Sequence, residues 1–351
     1  MALEFEKEGR ESSNSERRVT VKFRLTSFVV RSGILVGIAS LIFPISIVLA
    51  QDKFPSRPIQ IINPYDAGGG LDLHCRPLAA VMERMLKQPV LVQNKPGAGG
   101  AVGFQFVSKA KADGYMIVGS TPAIISLPEV DILFGRPQTF KYEMFVPVGL
   151  MSTEPLVVVV QEKSPWKEIK DLINAAKAEP EKFQYSSAGP YGPSHIPTEM
   201  FTKEAGIKLK HVPYTGAGPS LTALLGGHVD LYLSPPSIAM GHMKKGTLRA
   251  LGITSAKRHK YLPEVPTLME LGFNVEFYNW YGLHATKGTP GEPLKILRET
   301  IGQAMKDQQF VDAMEKIQTP ITYMSAEEFQ VFLDRNAKTL VETIRRIGKV
   351  S

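Results

Sequence analysis

From Pro58 onward, short β-branched runs alternate with longer amphipathic segments, and this rhythm limits what the chain can fold into more than any other feature. The runs fall at residues 59–62, 90–92, 116–118, 156–160, 183–185, 210–213, 229–233 and 248–253. Between them, Leu71, Cys75, Leu78, Ala79, Met82 and Leu86 share one helical face, and Ile169, Leu172, Ile173 and Ala176 repeat that spacing. Strands alternating with helices of roughly ten to fifteen residues imply βαβ units and mainly parallel sheets. Residues 293–305, 310–317 and 326–347 read as charged helices that start no further sheet. The 351 residues suit about two domains.

One pattern occurs twice. A strand at 59–62 runs into Pro64-Tyr65-Asp66-Ala67-Gly68-Gly69-Gly70 and a helix. A strand at 210–212 runs into Pro213-Tyr214-Thr215-Gly216-Ala217-Gly218 and a helix. The repeat predicts two similar α/β lobes.

The N-terminal segment stands apart. Residues 33–50 carry no charge, and Arg17, Arg18, Lys22, Arg24 and Arg31 precede them. With Val48-Leu49-Ala50 before a polar Gln51-Asp52, this is the order of an export signal cleaved after Ala50. An uncleaved anchor is the alternative, since eighteen apolar residues lie within spanning length. The mature chain keeps 34 Lys/Arg and 29 Asp/Glu, a net +5 without a basic run, which disfavours nucleic-acid binding. A single cysteine, Cys75, excludes an intrachain disulfide framework or a multi-cysteine metal site.

Two glycine-rich loops carry the chemistry. Gly68-Gly69-Gly70 lets the backbone approach a ligand where the following helix presents free N–H groups and its positive dipole end. Asp72 then serves the first turn by accepting amide hydrogen bonds. The second loop, Ser186 to His195, combines Ser187, Ala188, Gly192, Ser194 and His195 at a helix start. A plain strand-to-helix turn at the first loop and a Ser194-His195 helix cap at the second are the bland alternatives. Gly97-Ala98-Gly99-Gly100-Ala101-Val102 lacks the third glycine of a dinucleotide fingerprint, and Gly241–Thr247 has Thr247 where a phosphate loop needs lysine. No GxSxG elbow supports a nucleophilic serine, and His195 with Glu199 is half a metal site without a second histidine to complete it.

These segments in this order resemble the Bug family, the extracytoplasmic solute receptors of tripartite tricarboxylate transporters. The resemblance runs from Phe54 to about Ile347. It rests on Phe54-Pro55-Ser56-Arg57-Pro58-Ile59, the Pro64–Asp72 loop, Gln93-Asn94-Lys95-Pro96-Gly97-Ala98-Gly99-Gly100 and Ala112-Asp113-Gly114-Tyr115. It continues through the 187–195 loop, His211-Val212-Pro213-Tyr214-Thr215-Gly216, Leu225-Gly226-Gly227-His228-Val229-Asp230 and residues 246–258. The resemblance implies a type II periplasmic-binding-protein fold: two α/β lobes with a ligand cleft between them. The loops at Tyr65–Asp72 and Ser187–His195 would grip a ligand's carboxylates from opposite lobes, largely through backbone amides and ordered water. Family members often carry a threonine where this chain has Leu71, and an aspartate where it has Ser234.

The resulting expectation is an exported binding protein, not an enzyme, with no metal or cofactor. It captures a small organic carboxylate and serves the membrane permease subunits of such a transporter, working as a monomer. The expected ligand-binding residues are Tyr65, Ala67, Gly68, Gly69, Gly70, Asp72, Ser187, Ala188, Gly192, Ser194, His195, Tyr214, Thr215 and Ser234. The lobes are expected at 51–152 with 277–351, and at 153–276. A sensor for a membrane signalling partner and a hydrolase using Ser194 and His195 are the rival readings.

Overall fold

The computed structural model describes residues 53–350; the export signal and its cleavage site after Ala50 lie outside them. In chain order the first half holds β1 (Ile59–Asn63), α1 (Gly70–Leu86), β2 (Val90–Asn94), α2 (Ala101–Ser108), β3 (Met116–Ser120), α3 (Ala123–Leu133), β4 (Phe145–Pro155), β5 (Val157–Gln161) and α4 (Ile169–Ala178). There follow β6 (Gln184–Ser187), α5 (His195–Ala205), β7 (Lys210–Pro213), α6 (Ala217–Leu225), β8 (Leu231–Ser234), α7 (Pro236–Lys244) and β9 (Leu248–Ile253). The chain ends with β10 (Tyr278–Thr286), α8 (Gly291–Ala304), α9 (Gln308–Lys316) and α10 (Ala326–Ile347).

Two five-stranded sheets organise these elements, in the orders β2-β1-β3-β10-β4 and β7-β6-β8-β5-β9. In each, a parallel trio is followed by one antiparallel strand and an edge strand paired to it. The order is the same in both, so β1 corresponds to β6 and β2 to β7. The Pro-Tyr repeat therefore points to two lobes but aligns the wrong strands: it matches β1 with β7, an edge strand. The true counterpart of the β1 loop is the loop at 188–194, between β6 and α5.

Sheet burial explains the strand sequences. Val157, Val158, Val159 and Val160 are all fully buried, because β5 has helices on both faces. Val158 and Val160 join a core with Trp166, Leu172 and Phe201, while Val157 and Val159 join one with Leu224 and Ala239. A strand covered on both sides reads as a continuous apolar run. The first sheet has a larger core, built around Ile61, Leu78, Phe104, Leu283, Ile301 and Phe329.

The chain crosses between sheets twice, at Leu156 and between β9 and β10. Thr254 ties the crossings together. Its Oγ1 accepts from Leu156 N at 2.8 Å and donates to Phe277 O at 2.6 Å. Thr254 N also donates to Leu156 O at 2.9 Å. Strands β4 and β10 were not among the sequence runs, although β10 lies between β3 and β4 in the first sheet. Pro77 lies inside α1, which begins at Gly70 and continues to Leu86.

Candidate functional site

The β1 loop is built over a buried carboxylate. Asp72, 3% exposed, accepts from Gly68 N at 3.0 Å, Asn63 Nδ2 at 3.2 Å, Asn94 Nδ2 at 3.1 Å and Arg76 Nε at 2.8 Å. Burial alone would raise its pKa, but Arg76 and the Gly68 and Asn94 donors hold it below the ordinary aspartate value. Asp72 thus shapes the loop, and its oxygens are engaged within it. Gly69 occupies the N-cap of α1 without any side-chain hydrogen bond, which leaves the first-turn amides without side-chain partners. Gly70 cannot be larger, since a Cβ there would lie 2.1 Å from the Tyr281 hydroxyl.

The counterpart loop after β6 is held by neutral rings. His195 and His211 stack with centroids 4.2 Å apart. Tyr191 N donates to His195 Nδ1 at 2.8 Å, and Ser187 Oγ lies 2.6 Å from His211 Nε2. Burial pushes His195 down to about 3, with His211 contributing, and burial pushes His211 down to about 4. Tyr185 donates to Glu199, whose own carboxyl is pushed up by burial. Ser194 stands at the N-cap of α5, but its Oγ accepts from Ala188 N at 2.9 Å instead of capping the helix. Ser194 and His195 are thus bonded to different backbone amides, which does not make the nucleophile–base pair a hydrolase would require.

The lobes meet reciprocally. Thr215 Oγ1 donates to Asp66 Oδ2, so the loop after β7 touches the loop after β1. Gly189, at φ +114°, packs against Gly99, so the loop after β6 touches the loop after β2. A Cβ on Gly189 would reach within 2.5 Å of Gly99 Cα, and the positive φ adds strain for any other residue.

Between these contacts lies a cavity of about 30 Å³, lined from both lobes. Its polar lining includes Tyr65, Thr121, Ser194, Tyr232, Asn279 and Tyr281; none of its lining residues is charged. The starts of α1 (Gly69, Gly70, Leu71) and α6 (Ala217) border it from opposite lobes, both without side-chain caps.

Of the residues chosen from sequence, the cavity is lined by Tyr65, Gly69, Gly70, Ala188 and Ser194. Ala67, Gly68 and Tyr214 instead border a second, more open pocket with Asp66, Gly218 and His228. Thr215 makes the interlobe hydrogen bond. Ser187, Gly192 and His195 form the body of the second loop behind the cavity. Ser234 is fully buried and donates to Pro235 O, and Pro235 is the residue that reaches the lining.

Among the lining residues that sequence reasoning missed are Thr121, Leu156, Tyr232, Asn279 and Tyr281. The available signal was strand alternation in β10. Asn279 and Tyr281 face the cavity, whereas Trp280 packs edge-on against Phe329 at 5.4 Å.

Two lobes of matching sheet order, crossed twice and enclosing an uncharged cavity, define a two-lobed solute receptor of the periplasmic-binding-protein class. The tripartite tricarboxylate transporter family receptor model (TctC) matches residues 75–349. Protein BugT of Bordetella pertussis is 33% identical over 291 residues, covering 82% of this chain and 87% of BugT. The solved periplasmic binding protein BugD superposes with a TM-score of 0.79 at 28% identity, covering 84% of this chain and 99% of BugD. An R. palustris protein solved with adipate gives 0.77 at 26% identity, covering 84% and 98%. The chain belongs to the tripartite tricarboxylate transporter receptor family. That family consists of solute-binding receptors, not enzymes.

Proposed function

We propose that the chain, exported and cleaved after Ala50, captures a small organic carboxylate in the periplasm and delivers it to the permease subunits of a tripartite tricarboxylate transporter. The observation that carries this reading is the interlobe cavity: uncharged, and bordered by two uncapped helix starts from opposite lobes. A carboxylate only accepts hydrogen bonds, and free first-turn amides with a positive dipole end supply donors without a cation. The adipate-bound R. palustris relative supports the ligand class. Gly69, Gly70, Ala188, Ser194 and Tyr65 form the contact surface, with Asp72, Ser187, Gly192 and His195 shaping the two loops. The lobes at 51–152 with 277–351 and at 153–276 act as jaws, hinged where Thr254 ties the crossings. A closed cavity of about 30 Å³ holds a water or two, so a ligand seats as the jaws part.

Titration calorimetry of the purified protein against organic acids and neutral sugars tests this. Binding of at least one carboxylate and no sugar is the expected result. Sugar binding without any response to acids overturns the carboxylate assignment.

A further inference from the structure

The cavity floor differs in chemistry from its rim. Leu71, Leu156, Pro193, Ala217 and Pro235 make much of the wall. At the floor, Tyr232 Oη, Tyr281 Oη and Asn279 Oδ1 are buried without a well-formed hydrogen bond, on residues 0%, 2% and 2% exposed; Tyr281 Oη lies near Glu154 and Asn279, and Tyr232 Oη near Ser194 and Ser220. Buried polar atoms are normally satisfied, so three orphans lining one cavity mark where a ligand group belongs. They are uncharged: two phenols that donate or accept, and an amide oxygen that accepts.

Behind them stands Glu154, fully buried and paired across β4 and β10 with Asn279. It accepts from Ser237 N at 3.1 Å and Ser237 Oγ at 2.8 Å, and no cation pairs with it among the described residues. A second ligand carboxylate at the floor would face this carboxyl and the Asn279 oxygen, with no cation nearby to offset either. A hydroxyl or amide N–H would instead give Asn279 its missing donor and leave the phenols a neutral partner.

Resting on the carboxylate reading above, we propose that the site selects a monocarboxylate whose compact apolar body carries one uncharged hydrogen-bonding group. The carboxylate sits at the start of α1, where Tyr281 Oη lies against Gly70, the body lies against Leu71 and Leu156, and the uncharged group reaches Tyr232 and Asn279. Leu71 makes the wall beside the start of α1 apolar.

The test compares paired probes on the purified protein by titration calorimetry: 4-hydroxybutyrate against butyrate, 4-hydroxybenzoate against benzoate, and adipate. Tyr232→Phe removes one floor hydroxyl with little change of volume, and its melting temperature checks that it folds. At least one hydroxylated acid should bind about tenfold or more tighter than both its parent and adipate. In Tyr232→Phe that preference over the parent should shrink severalfold. Adipate binding as tightly as the hydroxylated acids overturns the selectivity while leaving the carboxylate reading intact. A preference unchanged in Tyr232→Phe removes the floor assignment. If none of these acids binds, this selectivity fails; the broader carboxylate reading falls only if the wider acid panel is silent too.

Discussion

In lobe 1 the loop after β1 enters α1 over a buried aspartate gripped by two asparagines and an arginine. In lobe 2 the corresponding loop after β6 enters α5 over two stacked imidazoles kept neutral by burial. The sheets beneath them have the same order, so strand topology places both loops at the cavity and leaves their internal chemistry free to diverge. The difference assigns the loops different sensitivities. The first is fixed by charge-assisted bonds around Asp72, and the second depends on histidines remaining unprotonated.

The largest effect should come from Asp72→Ala, which strands the Asn63, Asn94 and Gly68 donors. We expect a loss of about 2–4 kcal/mol in chemical denaturation. Most of it arises from the buried donors, because Arg76 stays half in water and its ion pair counts for little. A loss below about 1 kcal/mol would show that the first loop does not depend on this network.

Gly70→Ala comes next. Its Cβ would meet Tyr281 Oη at 2.1 Å and Cζ at 2.8 Å, so the buried ring must move. Overpacking of this kind costs about 1–3 kcal/mol, and here it should also abolish ligand binding in calorimetry. Gly69→Ala makes the contrast, since its Cβ finds nothing closer than 3.6 Å. Equal loss of stability in both variants would contradict the packing seen at Tyr281.

The second loop should reveal itself through pH. His195 and His211 in lobe 2, and His74 and His284 in lobe 1, are lowered from 6.5 to between about 3 and 4, burial being the largest cause in each. The unfolded chain therefore binds more protons than the native one below pH 6.5. Stability is fully present above about 6.5 and falls as pH drops toward about 4. Glu154 and Glu199, both raised by burial, oppose this trend, whereas His259, also lowered by burial, adds to it. His211→Asn should make the fall in melting temperature between pH 6.5 and 4 shallower. An unchanged slope would remove the stacked pair from the account.

The smallest effect belongs to the seam. Thr215→Val deletes the hydroxyl that reaches Asp66 at an exposed position, and should change stability by no more than about 0.5 kcal/mol. Ligand affinity should fall roughly twofold to tenfold, because the bond joins the loops after β7 and β1 across the cleft. Unaltered affinity would mean that this contact does not bias closure.

Eight of the ten strands among the described residues were legible because β-branched runs report burial on the sheet, as in Val157–Val160. The other two were not. β4 mixes Pro147, Gly149, Ser152 and Glu154 with apolar residues, and β10 reads as an aromatic cluster; both gain strand identity by pairing with each other far along the chain. The site divides in the same way. Its rim, Gly69, Gly70 and Ser194, follows from local loop chemistry. Its floor, Tyr232, Asn279 and Tyr281, comes from strands that only tertiary folding brings together. The Pro-Tyr repeat misled for a related reason: it marks two loops that face across the cleft, whereas sheet position decides which loops correspond.

The most direct test is a crystal structure of the protein with the tightest-binding acid of the panel. A carboxylate oxygen about 3 Å from the first-turn amides of α1, enclosed between the lobes, is the predicted result. An acid bound only in the second pocket, beside Ala67, Gly68 and Tyr214, would contradict the account.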